Sequence, residues 1–187
     1  MKKLNFIIKC GLALLLLSFY SCESWLNVTP SDRLSEEMLF NDREGFVKAL
    51  NGVYIELNTN ELYGRNLTAG ALDVMGQYYS VASSSHAFYN YGGLVYTGND
   101  EKALFDNMWQ KCYAVIACCN TIIEKCDENK AGLSPVWRGS IKGEALALRA
   151  MLHFDMLRLF GPLTSELDKK SIPYQTNSDQ TVTPLLS

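Results

Sequence analysis

Residues 134–161 read S-P-V-W-R-G-S-I-K-G-E-A-L-A-L-R-A-M-L-H-F-D-M-L-R-L-F-G. Ser134 suits an N-cap, and Pro135 suits the first helical position, where its missing N–H is not needed. Gly161-Pro162 supplies the stop: Gly can take a left-handed C′ conformation and Pro cannot continue the helix. At about 100° per residue, Trp137, Ile141, Ala145, Leu148, Leu152 and Leu159 fall on one side. Gly143, Leu146, Ala147, Ala150, Phe154 and Leu157 fall on the other. Arg138, Lys142, Arg149 and His153 form one polar line between them; Glu144, Asp155 and Arg158 form the second. A helix with two apolar faces is expected to be a scaffold packed between two layers.

Immediately upstream, residues 100–128 show a second long helical pattern. Leu104, Met108, Val115, Cys119, Ile122 and Cys126 make one stripe, and Phe105, Trp109, Ile116, Asn120 and Ile123 make another beside it. Asn129-Lys130-Ala131-Gly132 ends that pattern, so the two long helices are joined by a short connection and must run antiparallel. Asn41 and Glu44 have capping-box spacing, and Phe46, Leu50, Tyr54 and Leu57 recur at helical intervals, which predicts a helix over 42–57. Residues 35–40 suggest a single short turn. A further helix is expected over 61–77, with Leu62, Leu67, Ala71 and Met75 on its face, although Gly64, Gly70 and Gly76 each weigh against it.

Residues 78–99 break the periodicity: Y-Y-S-V-A-S-S-S-H-A-F-Y-N-Y-G-G-L-V-Y-T-G-N. A loop of this length is usually functional or disordered, and its five tyrosines with Phe88 argue against disorder. No βαβ alternation or strand pairing is present, so the expected fold class is all-α, built of helical hairpins with a long aromatic-rich loop. Residues 164–187 carry no helical pattern and nothing that marks a packed terminus.

The N-terminus is a targeting segment. Lys2-Lys3 precedes the apolar run 12–17, which is too short to cross a bilayer, and Ser21-Cys22 follows. Residues 1–21 are expected to be a lipoprotein signal peptide, Cys22 the lipidated residue, and 22–33 an extended leader to a helical domain over 34–187. Acyl chains on Cys22 would attach the protein to a membrane without a spanning helix. Cys112, Cys118, Cys119 and Cys126 share one helix. At spacings of seven their Cα atoms lie about 10 Å apart, beyond disulfide reach. All four are expected to be small buried apolar residues.

Several pieces resemble, in order, the N-terminal part of the SusD/RagB family. They are Cys22 with Trp25-Leu26-Asn27-Val28-Thr29-Pro30; Phe46-x-x-Ala49-Leu50-Asn51-Gly52-x-Tyr54; Leu62-Tyr63-Gly64; Trp109-x-x-x-Tyr113-x-x-Ile116 with Asn120; and the most specific, Gly143-Glu144-Ala145-x-x-Leu148-Arg149-Ala150-x-x-x-Phe154-x-x-x-x-Leu159-Phe160-Gly161-Pro162. Ile172-Pro173-Tyr174 could supply the short extended segment that follows in the family. The resemblance implies tetratricopeptide-like helical hairpins. It also implies a surface lipoprotein of the outer membrane that binds oligosaccharide or another nutrient and works with a TonB-dependent, SusC-like transporter. Family members are several hundred residues long, so the chain looks like a fragment or an early-terminated form.

Sugars are held by aromatic faces against their C–H faces and by amides and carboxylates on their hydroxyls. The loop has both, with Tyr89, Tyr91 and Tyr96 as stacking candidates and His86, Asn90, Asn99 and Asp100 as hydrogen-bonding candidates. The plainer alternative is that the tyrosines pack the loop onto the helices. Glu144 and Arg149 lie about 140° apart and do not face one another, while Asp155 and Arg158 suit an i,i+3 ion pair. His86 and His153 have no metal-ligand spacing, so neither a metal nor a cofactor is implied. No catalytic triad, phosphate loop or dinucleotide fingerprint is present. With a net charge of −3 nothing points to nucleic acid. The expectation is a binding protein, not an enzyme, with a protein-binding helical scaffold as the alternative.

Overall fold

A computed structural model describes residues 36–162, 165, 169 and 171–178. The chain divides into units 1–35 and 36–187, and only the second is described here. The expected signal peptide, the Cys22 anchor and the leader therefore lie outside the described residues.

The described residues are helical and contain no β-strand. In chain order the helices are α1 Glu36–Leu39, α2 Arg43–Leu57, α3 Ala71–Met75, α4 Tyr89–Gly92, α5 Asn99–Glu128 and α6 Pro135–Phe160. Asp42, one residue later than expected, is the N-cap of α2, and its carboxylate accepts the Gly45 N–H at 2.9 Å. Gly45 is required for space: a Cβ there would lie 1.5 Å from the Leu39 carbonyl oxygen. Between α5 and α6, Asn129 takes the left-handed conformation at φ 46°. Its side-chain carbonyl accepts the Leu133 N–H at 2.8 Å, which locks the turn.

Ser134 caps α6 and Pro135 follows it, as the sequence predicts. The C-terminal stop works differently from expectation. Gly161 is extended, at φ −74°, and is not left-handed. Glycine is needed there because a Cβ would lie 2.4 Å from the Leu157 carbonyl oxygen.

Helices α5 and α6 form the most extensive pairing, antiparallel as expected. Asn120 meets Arg149 near the middle, and Asp127 pairs with Lys142 toward the turn. Helix α2 packs against both: Lys111 pairs with Glu56, and Tyr54 Oη donates to Glu144 at 2.7 Å. The core is one seam of Phe46, Leu50 and Val53 from α2, Met108, Ile116 and Ile122 from α5, and Ile141, Leu152 and Met156 from α6. Each such side chain contributes about 1.5–3 kcal/mol on burial.

Three expectations are corrected. The second apolar face of α6 is uncovered among the described residues: Phe154 is 59 % exposed, Leu157 44 % and Leu146 36 %. The reason is geometric, since α2 and α5 both pack on the Ile141–Leu152 side of α6. Residues 61–70 form successive turns, and helix occupies only Ala71–Met75 of the expected 61–77. A Cβ on Gly64 or Gly70 would lie 2.4 or 2.6 Å from a carbonyl oxygen, so the chain bends where these glycines permit. Leu62, Leu67 and Ala71 are still buried, so the apolar spacing was followed by a different backbone. Lastly, residues 171–178 are packed, with Ile172 6 % exposed, although nothing in the sequence marks a packed terminus.

Of the four helix cysteines, Cys112, Cys119 and Cys126 are buried free thiols and Cys118 is at the surface. The sequence expectation fails for Cys118 alone. Burial pushes the Cys112 and Cys119 thiols up to about 12.

Candidate functional site

The loop between α3 and α5 owes its shape to a second, smaller core. Ala71, Val74 and Tyr91 are buried, with Phe88, Tyr96 and Phe105 packed against them. Tyr91 meets Phe88, Tyr96 and Phe105 at ring-centroid distances of 5.8, 6.2 and 5.9 Å. From Phe105 the ring contacts run on through Phe160, Trp109 and Tyr113 to His153 and Tyr174. Loop and long helices are thus joined by packed aromatic edges, each pair worth about 0.5–1.5 kcal/mol beyond area burial.

Polar ties close the loop. Gln77 sits at φ 62°, and its side-chain amide donates to the Gly92 carbonyl at 2.9 Å. Asn90 Nδ2 donates to Glu101 Oε1 at 2.8 Å. Glu101 is 6 % exposed in the first turn of α5, where the helix N-terminus favours its charge.

Three adjoining depressions open over this loop. One of about 510 Å³ is lined by Tyr79, Val81, His86 and Phe88 among others. A second of about 570 Å³ has Arg65, Ser85, His86, Tyr89, Asn90 and Asp100 in its wall. A third of about 410 Å³ lies between Tyr79 and Tyr89, with Gln77 and Asn90. The first shares His86 with the second, and the second shares Tyr89 with the third.

His86, Tyr89, Asn90 and Asp100 are therefore brought together in one wall. Tyr89 is 42 % exposed and offers ring area. His86 Nδ1 accepts the Phe88 N–H at 3.1 Å, which leaves Nε2 to carry the proton and donate. Asn90 commits its NH2 to Glu101 and keeps its carbonyl oxygen as an acceptor. Tyr91 also borders the second depression but is buried, and Tyr96 lines none of the three. Tyr91 is 2 % exposed, and its expected role as a stacking surface is corrected to that of a core residue. Burial, with the nearby Glu101 and Asp100 charges, raises its hydroxyl to about 12. Tyr96 is half-buried against Tyr91 and Phe105, and burial raises its pKa too. Asn99 is exposed at the start of α5 and lines none of the three depressions.

Glu144, Asp155 and Arg158 of α6 are committed to the scaffold. Glu144 accepts from Tyr54; Asp155 accepts from Tyr63 at 2.6 Å and pairs with Arg158 at 3.1 Å. Among the described residues no group of His, Cys, Asp and Glu side chains could hold a metal ion. No helix of the described residues is long and apolar enough to cross a membrane.

Residues 24–185 match a SusD-like family model described as starch-binding and associating with the outer membrane. The chain belongs to the SusD-like family. It is 25 % identical over 166 residues to the SusD-like protein P2 of Formosa agariphila, a match covering 86 % of this chain and 30 % of that relative. This SusD-like chain thus spans about 30 % of the relative's length. No solved structure matches it.

Sequence reasoning did not single out two contributors to the site of this SusD-like chain. Tyr79, 54 % exposed, lines two of the three depressions. Arg65 comes from the segment expected to be helical, and its guanidinium lies 5.7 Å from the Phe88 ring centroid. The loop's tyrosine count pointed to Tyr79 as one of several. Only burial separates it from Tyr91.

Proposed function

We propose that this SusD-like chain binds oligosaccharide at the depressions around Tyr79 and Tyr89. The observation that carries this reading is the pair of exposed tyrosine rings on one shared, open depression, beside a wall of neutral and charged hydrogen-bonding groups. Aromatic faces take the C–H faces of sugar rings, while His86, Asn90, Asp100 and Arg65 supply donors and acceptors for hydroxyls. The partly charged but open wall suits binding and release. A binding role accords with the family's description as starch-binding.

The fuller role extends from the family. The protein is a surface lipoprotein of the outer membrane, anchored through Cys22 after removal of residues 1–21, and it delivers its ligand to a TonB-dependent SusC-like transporter. Calorimetric titration of the full chain against an oligosaccharide panel tests the site. Saturable binding that weakens in Tyr79→Ala and Tyr89→Ala supports it. Unchanged affinity in both variants refutes it. Radiolabelled palmitate incorporation that is lost in Cys22→Ala tests the anchor separately.

A further inference from the structure

Residues 171–178 lie as an extended strap on the α5–α6 pair, with Ile172 buried in the core and most of the hydrogen bonds from α5 and α6 made to the strap's backbone. Tyr113 Oη donates to the Pro173 carbonyl at 2.8 Å, and Asn120 Nδ2 donates to the Asn177 carbonyl at 2.8 Å. Arg149 donates to the Thr176 carbonyl at 3.2 Å and to Asn120 Oδ1 at 2.8 Å. Glu124 accepts the Ser178 N–H at 2.7 Å and its hydroxyl at 2.5 Å. Near the middle of the strap, the Gln175 N–H donates to His153 Nε2 at 3.0 Å.

That last bond fixes the state of the imidazole. Nε2 accepts, so it carries no proton; Nδ1, 2.9 Å from the Arg149 carbonyl oxygen, must be the N–H that donates there. Both ring nitrogens are used, and His153 is only 5 % exposed. A second proton can go only onto Nε2, where it would face the Gln175 N–H, donor against donor. The surroundings offer it no counter-charge. Arg149 on the same helix is cationic. Tyr113 of α5 and Tyr174 of the strap present rings at 6.1 and 4.7 Å. Glu124 of α5 is engaged by Ser178, and Asp155 by Tyr63 and Arg158.

We propose that His153 is a proton-operated latch: a proton added at Nε2 releases residues 171–178 from the groove between α5 and α6. Release exposes Asn120, Glu124 and Arg149, a set of side chains arranged to read extended backbone, and lifts Ile172 off the apolar seam, whose other residues stay packed. Burial is the main cause that holds the His153 pKa below its usual value, with the Arg149 charge acting the same way and the bond to the Arg149 carbonyl opposing. The sign follows. The latch is fully closed above the free imidazole value of about 6.5, and it opens as the pH falls from there toward the depressed value of the closed form.

Nitrogen NMR on the full chain tests this. At neutral pH the His153 ring should show a protonated Nδ1 and a bare Nε2. Gln175 amide protection, corrected for intrinsic exchange, should drop about tenfold for each pH unit below the free imidazole value, until the depressed value is reached. Amides of Ile116 and Leu152 should keep their protection. In His153→Gln, whose side-chain carbonyl can accept the same N–H without titrating, the pH step should vanish. The opposite tautomer, equal loss throughout the core, no step in the parent, or the same step in His153→Gln would each overturn the proposal.

Discussion

Asn90 Nδ2 lies 2.8 Å from Glu101 Oε1, so an exposed loop residue is tied to a buried carboxylate in the first turn of α5. The bond fixes the loop to the first turn of α5. Removing the carboxylate in Glu101→Ala hands the exposed Asn90 amide to water, a net loss of about 0.5–1.5 kcal/mol. The expected result is a lowered melting temperature together with weakened oligosaccharide binding. Gly98→Ala should reproduce it, because a Cβ at Gly98 would lie 2.0 Å from Glu101 Oε2. Differential scanning calorimetry and titration calorimetry on the same samples check both effects.

The tyrosines divide by burial, and their variants should divide in the same way. Tyr89→Ala and Tyr79→Ala remove exposed rings and should weaken binding by roughly 1 kcal/mol each, about fivefold, with little change in stability. Tyr91→Ala empties the small core among Phe88, Tyr96 and Phe105, at about 3–5 kcal/mol of stability. Urea denaturation should show an unchanged midpoint for the first two variants and a large fall for the third.

Glycines give a contrast of opposite signs. Gly143 lies in the interior of α6 and a Cβ there meets nothing within 4 Å. Gly143→Ala should stabilise the protein by about 1 kcal/mol through helix propensity. Gly45→Ala puts a methyl 1.5 Å from the Leu39 carbonyl oxygen and should destabilise it, because backbone must move. A rise in melting temperature for Gly45→Ala would contradict the packing of α1 on α2.

Thiol reactivity should follow burial. Cys118 is at the surface, while Cys112 and Cys119 are buried with pKa values near 12. At mildly alkaline pH a thiol reagent should label Cys118 first among the four helix cysteines, and the other three should follow only on unfolding. Peptide mapping of the alkylated native and denatured chain resolves this.

The helices that could be read from the sequence are those whose pattern repeats over many turns. Ile141, Ala145, Leu148 and Leu152 repeat at helical spacing, and α6 buries that face; Ser134-Pro135 marks its start. The turns over 61–70 were not legible, because Leu62, Leu67 and Ala71 satisfy a helical spacing while Gly64 and Gly70 favour close backbone approach instead. In the loop, residue type pointed to sugar-binding chemistry but could not rank its tyrosines. Tyr79, Tyr89 and Tyr91 are chemically equal until the fold gives one of them to the core.

The sequence by itself determined the helix pairing, the family and the region where recognition chemistry is concentrated, because apolar periodicity, caps and motif spacing are local properties. Tertiary structure alone decided that Arg149, His153 and Asn120 serve the 171–178 strap, that Tyr91 is structural, and that only one apolar face of α6 is covered. Those outcomes depend on contacts between residues far apart in the chain. Whether a polar side chain finds a distant backbone group, or a ring finds a cavity, is settled by how the helices pack and not by the residues next to it.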